Sequence, residues 1–304
     1  MRIRTTLLLA TLLLNCLLLG ARPPVQQADR GAVHRHCLWS PQLADTVIID
    51  VWTPDGYAAD GPAYPAIYAH DGQNLYDATT TWNRQSWELD SAVGRLVVSD
   101  SLAAPVIVGI HSRMESRLGD LAPQKALEAI PDSLLRDFTR MSDRPLRGDA
   151  YAAFIANTLR PFINQTYNVR TDVASTTLLG SSMGGLISLY TMCEYPEVFG
   201  NALCLSTHWV GLLDRPADFF PQAIYAYLDK KLPSPATHRV YLDRGTETLD
   251  ALYADWQPRF VELLESHGYV PGQSLMTLLA HGAAHEEDSW KRRVATPLLF
   301  ILGK

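Results

Sequence analysis

The sequence predicts an α/β domain with a mostly parallel central sheet and helices on both faces. Three observations point there. Short, apolar, β-branched runs alternate along the chain with longer stretches of helical periodicity, the pattern of successive βα units rather than of an antiparallel sandwich. The chain has 304 residues, 47% of them hydrophobic, enough to cover both faces of one large sheet within a single domain. A glycine-flanked serine also falls where one such strand hands over to a helix, between Leu179 and Leu186.

The elements follow in chain order. Arg2 and Arg4 precede an almost unbroken apolar run from Leu7 to Gly20, too short to span a bilayer and suited to the core of a secretory signal. Residues 1–21 are therefore expected to be a signal peptide. Its removal would leave an exported protein, periplasmic or extracellular, with no stable membrane insertion. Residues 22–45 are expected to be a lead-in segment and 46–304 one catalytic domain. Strands are expected over Thr46–Trp52, Ala66–Ala69, Val106–Ile110, Thr176–Leu179, Ala202–Leu205, Arg239–Leu242 and Leu275–Leu279. Helices are expected over Trp87–Val97, Tyr151–Tyr167, Gly184–Tyr195, Leu249–His267 and Glu286–Leu299. Two long connections, Ser112–Arg147 and Val210–Thr237, interrupt the alternation and read as walls over a site.

Charge and cysteine content exclude some functions. The formal net charge is −6, and loss of Arg2 and Arg4 with the signal makes it more negative. No basic surface for nucleic acid is implied. Beyond the signal only Cys37, Cys193 and Cys204 remain, an odd and sparse set with no CxxC pair, so neither a disulfide framework nor a zinc site is expected.

The chemistry is carried by Gly180-Ser181-Ser182-Met183-Gly184, a G-x-S-x-G preceded by an apolar strand and followed by a helical pattern. A nucleophile on a tight strand-to-helix turn leaves no room for side chains two residues before and after it. Its hydroxyl then stands above the sheet, with the helix N-terminus beneath a developing oxyanion. This context predicts an α/β-hydrolase fold with Ser182 as nucleophile and the Met183 N–H as one oxyanion donor. In that fold the general base comes from a loop near the C-terminus. His281 and His285 compete there. His285, in a loop of small residues before a helix, is the base expected.

The third member should be a carboxylate after the preceding strand. Glu247 and Asp250 are the candidates, and the turn position of Glu247 favours it slightly, since Asp250 opens the next helix. The segment His70-Asp71-Gly72-Gln73-Asn74 follows another strand, and its glycine lets the backbone turn inward, so the Gln73 N–H is the second oxyanion candidate. Asp71 and Asp77 lack the regular ligand spacing of a calcium loop, so no metal is expected. Asp71 and Trp209 are the candidates for touching substrate. Trp209 belongs to a set of aromatics with Trp82, Trp87, His208, Phe219 and Phe220 that could line a pocket, while Arg113 and Arg117 offer a local basic grip.

These residues resemble the Putative esterase family, the branch of α/β-hydrolases that includes enterochelin esterases, feruloyl and acetyl-xylan esterases and S-formylglutathione hydrolases. The resemblance runs from about Thr46 to the C-terminus. It rests on His70-Asp71-Gly72-Gln73-Asn74, Trp82 through Asp90, Val106 through Ile110, Arg117-x-x-Asp120-x-x-Pro123, Gly180 through Gly185, Tyr195 through Gly200, and Gly282-Ala283-Ala284-His285-Glu286 with Trp290. It implies a Ser182 nucleophile, a His285 base, an oxyanion hole near Gln73 and Met183, and no cofactor. Relatives often carry the acid three residues after the strand-end glycine. Thr248 stands there, so the acid falls to Glu247 or Asp250.

The activity expected is hydrolysis of a small-molecule or carbohydrate ester through an acyl-enzyme. An acyltransferase on the same triad and a non-catalytic binding protein on a hydrolase scaffold are the rival readings. A degraded serine turn or a missing histidine would favour the second.

Overall fold

The computed structural model describes residues 23–141, 145–211 and 218–304, so the expected signal peptide lies outside the described residues. Eight strands form one sheet in the order β1-β2-β4-β3-β5-β6-β7-β8. They are β1 (Ala32–Ser40), β2 (Asp45–Thr53), β3 (Ala66–His70), β4 (Val106–Ile110), β5 (Thr176–Ser181), β6 (Asn201–Leu205), β7 (Arg239–Gly245) and β8 (Leu275–Ala280). β1 pairs antiparallel with β2, and β2 antiparallel with β4. Every other pairing, from β4–β3 through β7–β8, is parallel.

The sheet has a hydrophobic core on each face, and the two-residue period of the strands assigns side chains to them. Val106, Val108 and Ile110 enter one core while Ile107 enters the other; Leu178 and Leu179 divide in the same way. Because both faces are covered, the inner strands are continuous apolar runs rather than alternating ones, and β3 to β6 are buried along their whole length.

On one face lie α1 (Leu89–Val98), α7 (Glu287–Arg293) and α8 (Ala295–Leu302), packed through Leu89, Val93, Trp290, Val294 and Leu298. The other face carries α3 (148–166), α4 (Met183–Glu194), α5 (Phe219–Lys231) and α6 (Gln257–Ser266), through residues such as Phe154, Leu186, Ile224 and Phe260. α4 is buried from Met183 to Cys193, which explains why its sequence is apolar all round instead of amphipathic.

The structure departs from the sequence reading in four places. The lead-in contains β1, whose residues pair with β2 from Ala32↔Thr53 to Ser40↔Asp45, so part of it belongs to the sheet. The helix expected over Leu249–His267 is a 3-10 turn, Thr248–Tyr253, followed by α6, whose start is set by Pro258 in its first turn. The last helix is two, with Pro297 in the first turn of the second. The connection from Ser112 to Arg147 holds short turns and α2 (Asp132–Met141), and the other connection holds α5. Among the described residues no disulfide joins Cys193 and Cys204.

Candidate active site

The site lies at the carboxyl ends of β3, β5, β7 and β8. Ser182 sits between β5 and α4 at φ 56°, ψ −123°, a conformation that L-residues rarely adopt. The flanking glycines have a steric cause: a Cβ on Gly180 would stand 2.4 Å from the carbonyl carbon of Gly184. The turn is tied to the next strand, with Ser182 N–H donating to the Leu205 carbonyl at 2.9 Å and His208 N–H to the Ser182 carbonyl at 3.2 Å. Met183 is the first residue of α4, so its N–H has no partner within the helix.

His285 follows β8 across the left-handed Gly282. Its backbone N–H donates to Thr248 Oγ1 at 2.8 Å, and its Nδ1 lies 2.6 Å from Asp250 Oδ1. Asp250 is fully buried and also accepts from Ser206 Oγ at 2.6 Å and from the Gly245 N–H. Burial pushes the Asp250 carboxyl up, but the hydrogen bonds from His285 and Ser206 outweigh it and hold the group below the usual carboxylate range. An ionised Asp250 can only accept, so Nδ1 carries the proton and Nε2 is left as the acceptor. Trp290 packs edge-on to His285 with centroids 5.2 Å apart and donates from Nε1 to Ser206 Oγ at 2.9 Å.

Ser182 and His285 line one cleft of about 470 Å³ with Asp71, Gln73, Asn74, Arg117 and Glu287. The backbone leaves β3 through Asp71 at φ 53° and forms a 3-10 turn, Gly72–Asn74. Only glycine fits at 72, where a Cβ would stand 2.4 Å from the carbonyl carbon of Gly109. Gln73 lines the cleft, and its Oε1 accepts from the Ser112 N–H at 3.0 Å. Glu287 latches this turn to the histidine loop by accepting from Asn74 Nδ2 at 3.1 Å and Asn83 Nδ2 at 2.7 Å.

Three expected site residues stand elsewhere or act otherwise. Glu247 is exposed and meets Thr246 Oγ1 at 3.4 Å, while Asp250 holds His285. Thr248, at φ 51°, turns the chain back after Glu247 and sends Asp250 inward. Asp71 lines the cleft, but both its oxygens are taken by Arg117, from Nε and Nη2 at 2.7 Å each. Trp209 is fully buried against Phe260 and Tyr225, at 4.9 and 5.4 Å between centroids, and is a core residue. The exposed aromatic at the cleft is Trp82, 76% accessible.

Sequence reasoning missed Tyr253, and it named His208 only as one of the aromatics that could line a pocket. The Tyr253 hydroxyl lies 3.0 Å from His208 Nδ1. His208 Nε2 is 2.7 Å from the Gly211 carbonyl and must donate to it, so Nδ1 accepts from Tyr253. Burial pushes His208 down to about 4, which keeps that ring neutral. No sequence signal marks this pair, because nothing in a serine motif specifies what packs beneath it. Among the described residues no group of three or more His, Cys, Asp or Glu side chains is placed to hold a metal ion.

The model of the family described as Putative esterase matches residues 40–267. The uncharacterized protein YbbA of Bacillus subtilis is 25% identical over 84% of this chain and 92% of its own length. A siderophore enterobactin esterase of Emericella nidulans is 28% identical over 51% of this chain and 49% of its own. Among solved structures, the enterobactin esterase of Shigella flexneri superposes with a TM-score of 0.66 at 16% identity, over 91% of this chain and 60% of that one. An IroE-like serine hydrolase of Shewanella oneidensis gives 0.64 at 17% identity, over 88% and 79%. The chain thus spans about three fifths of the Shigella protein, and the likeness to these structures concerns the fold.

Proposed function

Because the chain belongs to the Putative esterase family, we propose that it hydrolyses a carboxylic ester through an acyl-enzyme formed on Ser182. The observation that carries this reading is the buried Asp250 on His285 Nδ1, in the same cleft as a serine held on a strained strand-to-helix turn. His285 Nε2 takes the Ser182 proton as the oxygen attacks the ester carbonyl, and Asp250 stabilises the imidazolium. The N–H groups of Met183 and Gln73 hold the oxyanion. The proton passes to the leaving alcohol. Water, deprotonated by His285, then releases the acid.

The substrate proposed is a small-molecule or carbohydrate ester with a bulky side. The cleft shares Gln73, Asn74, Trp82, Met114 and Arg117 with an adjoining hollow of about 570 Å³, room beyond a simple acetyl group. Trp82 and Met114, 76% and 73% accessible, offer a flat apolar contact there. The names of relatives that act on enterobactin or ferulic acid support screening aryl esters first. The apolar stretch from Leu7 to Gly20 supports export as the setting.

The test is intact mass after incubation with a fluorophosphonate, comparing wild type with Ser182→Ala. One adduct on the wild type, absent from the variant, is expected. Ester hydrolysis should fall by about 10⁴-fold or more in kcat in Ser182→Ala, as in other serine triads. A variant that kept most of the rate would overturn the assignment.

A further inference from the structure

The segment ahead of β1 reaches the turn that follows β3. Residues 23–31 run along the body as a strap. Asp29 N–H donates to Asp90 Oδ2 at 2.6 Å, Gly31 N–H to Asp55 Oδ1 at 2.9 Å, and Trp52 Nε1 to the Arg30 carbonyl at 2.6 Å. Most of the strap is exposed, but Gln26 is buried. Its Nε2 donates to the Gly72 carbonyl at 2.7 Å and to Asp50 Oδ2 at 3.1 Å, and its Oε1 accepts from the Tyr76 N–H at 3.1 Å.

The orientation of this amide is forced. A carbonyl and a carboxylate only accept, and a backbone N–H only donates, so the flipped amide would lose all of these bonds. Asp50 is a carboxylate here: burial pushes it up, but Arg35 and His111 hold it well below the usual range.

We propose that Gln26 is a positioning residue for the oxyanion hole, holding the 72–73 peptide plane so that the Gln73 N–H faces the cleft. In a trans peptide the C=O and the following N–H point in opposite directions. Anchoring the Gly72 carbonyl on Gln26, away from the cleft, therefore aims the Gln73 N–H the other way. The same amide grips Tyr76 N–H on the far side of the turn, so the turn is clamped at both ends by one side chain. Polarising the Gly72 carbonyl also makes the Gln73 N–H a stronger donor. The inference rests on the esterase reading, because it is the oxyanion that the N–H serves.

The experiment compares Gln26→Met, which keeps the volume and removes the hydrogen bonds, with Gln27→Met on the exposed neighbour as control. Kinetics with an activated aryl ester, the rate of fluorophosphonate labelling, thermal melting and amide exchange over residues 72–76 are read on each. A displaced donor should lower kcat by about tenfold, less than loss of a donor outright, with KM within about twofold. Labelling should slow in parallel and exchange at 72–76 should quicken, while Gln27→Met behaves as wild type. Wild-type kcat in Gln26→Met, or a loss that disappears once rates are divided by the folded fraction, would overturn the assignment. A wild type that takes no adduct at Ser182 would sink the esterase reading instead. In that case exchange at 72–76 alone decides whether Gln26 holds the turn.

Discussion

His285 Nδ1 meets Asp250 Oδ1 at 2.6 Å, joining the loop after β8 to the 3-10 turn after β7. The contact is screened from solvent by full burial of Asp250 and by Ser206, which accepts from Trp290 and donates to the other carboxylate oxygen. Replacing Asp250 by Asn should preserve packing while favouring the wrong imidazole tautomer. A fall in kcat of about 10³- to 10⁴-fold is expected, and Glu247→Gln should stay within about twofold of wild type. Steady-state kinetics on both variants checks this, and the opposite ranking would return the role to Glu247.

Ser182 occupies φ 56°, ψ −123°, where glycine is unstrained. Ser182→Gly should therefore be more stable than wild type by about 1 kcal/mol, or roughly 2–4 °C in Tm for a domain of this size. Ser182→Ala retains the strain and should melt near the wild type. Calorimetry of the three proteins tests it, and a Gly variant no more stable than the Ala variant would show that the turn stores no strain.

Two buried histidines make stability depend on pH. His70, hydrogen-bonded through Nδ1 to the Tyr151 hydroxyl at 2.9 Å, and His208 are each pushed down to about 4 from 6.5, chiefly by burial. Above pH 6.5 both rings are neutral folded and unfolded, and stability does not depend on them. Between 6.5 and 4 the unfolded chain takes up protons that the folded one refuses, so stability falls as pH falls. Each histidine accounts for up to about 3 kcal/mol across that window. Urea unfolding at pH 7, 6, 5 and 4.5 should show this loss, with a smaller slope in His70→Gln. Equal stability at pH 7 and 4.5 would rule it out.

Trp82 stands 76% exposed at the junction of the two hollows. Its removal should leave folding untouched and weaken binding of the bulky side of the substrate. Trp82→Ala is expected to raise KM for aryl esters several-fold, as loss of about 1 kcal/mol of aromatic contact would, while acetyl esters are unaffected. Parallel increases for both ester classes would place substrate elsewhere.

Sequence made the parallel sheet and the serine turn legible because both depend on local rules. A five-residue apolar run such as Val106–Ile110 reads as a buried strand, and Gly180 is demanded by its contact with the Gly184 backbone within the turn itself. The acid was harder. Glu247 and Asp250 differ only in which way Thr248 turns the chain, and its left-handed φ of 51° carries no residue signature, since threonine is poorly suited to it. Trp209 misled for a related reason: an aromatic beside a catalytic turn reads the same whether it faces the cleft or, as here, Phe260 in the core. β1 was overlooked because its burial alternates only partly at the sheet edge, and polar residues such as His34 and Arg35 blur the pattern.

The Glu287 latch has a consequence for biogenesis. Asn74 and Glu287 are 213 positions apart, and the Gln26 clamp on Gly72 spans 46. A nascent chain that has formed β3 to β6 already carries the serine turn, yet it lacks the helix that closes the other wall. Contacts of such long sequence separation form late, after loop closure over most of the chain. The nucleophile is thus built early, and the latch that closes the cleft around it forms last.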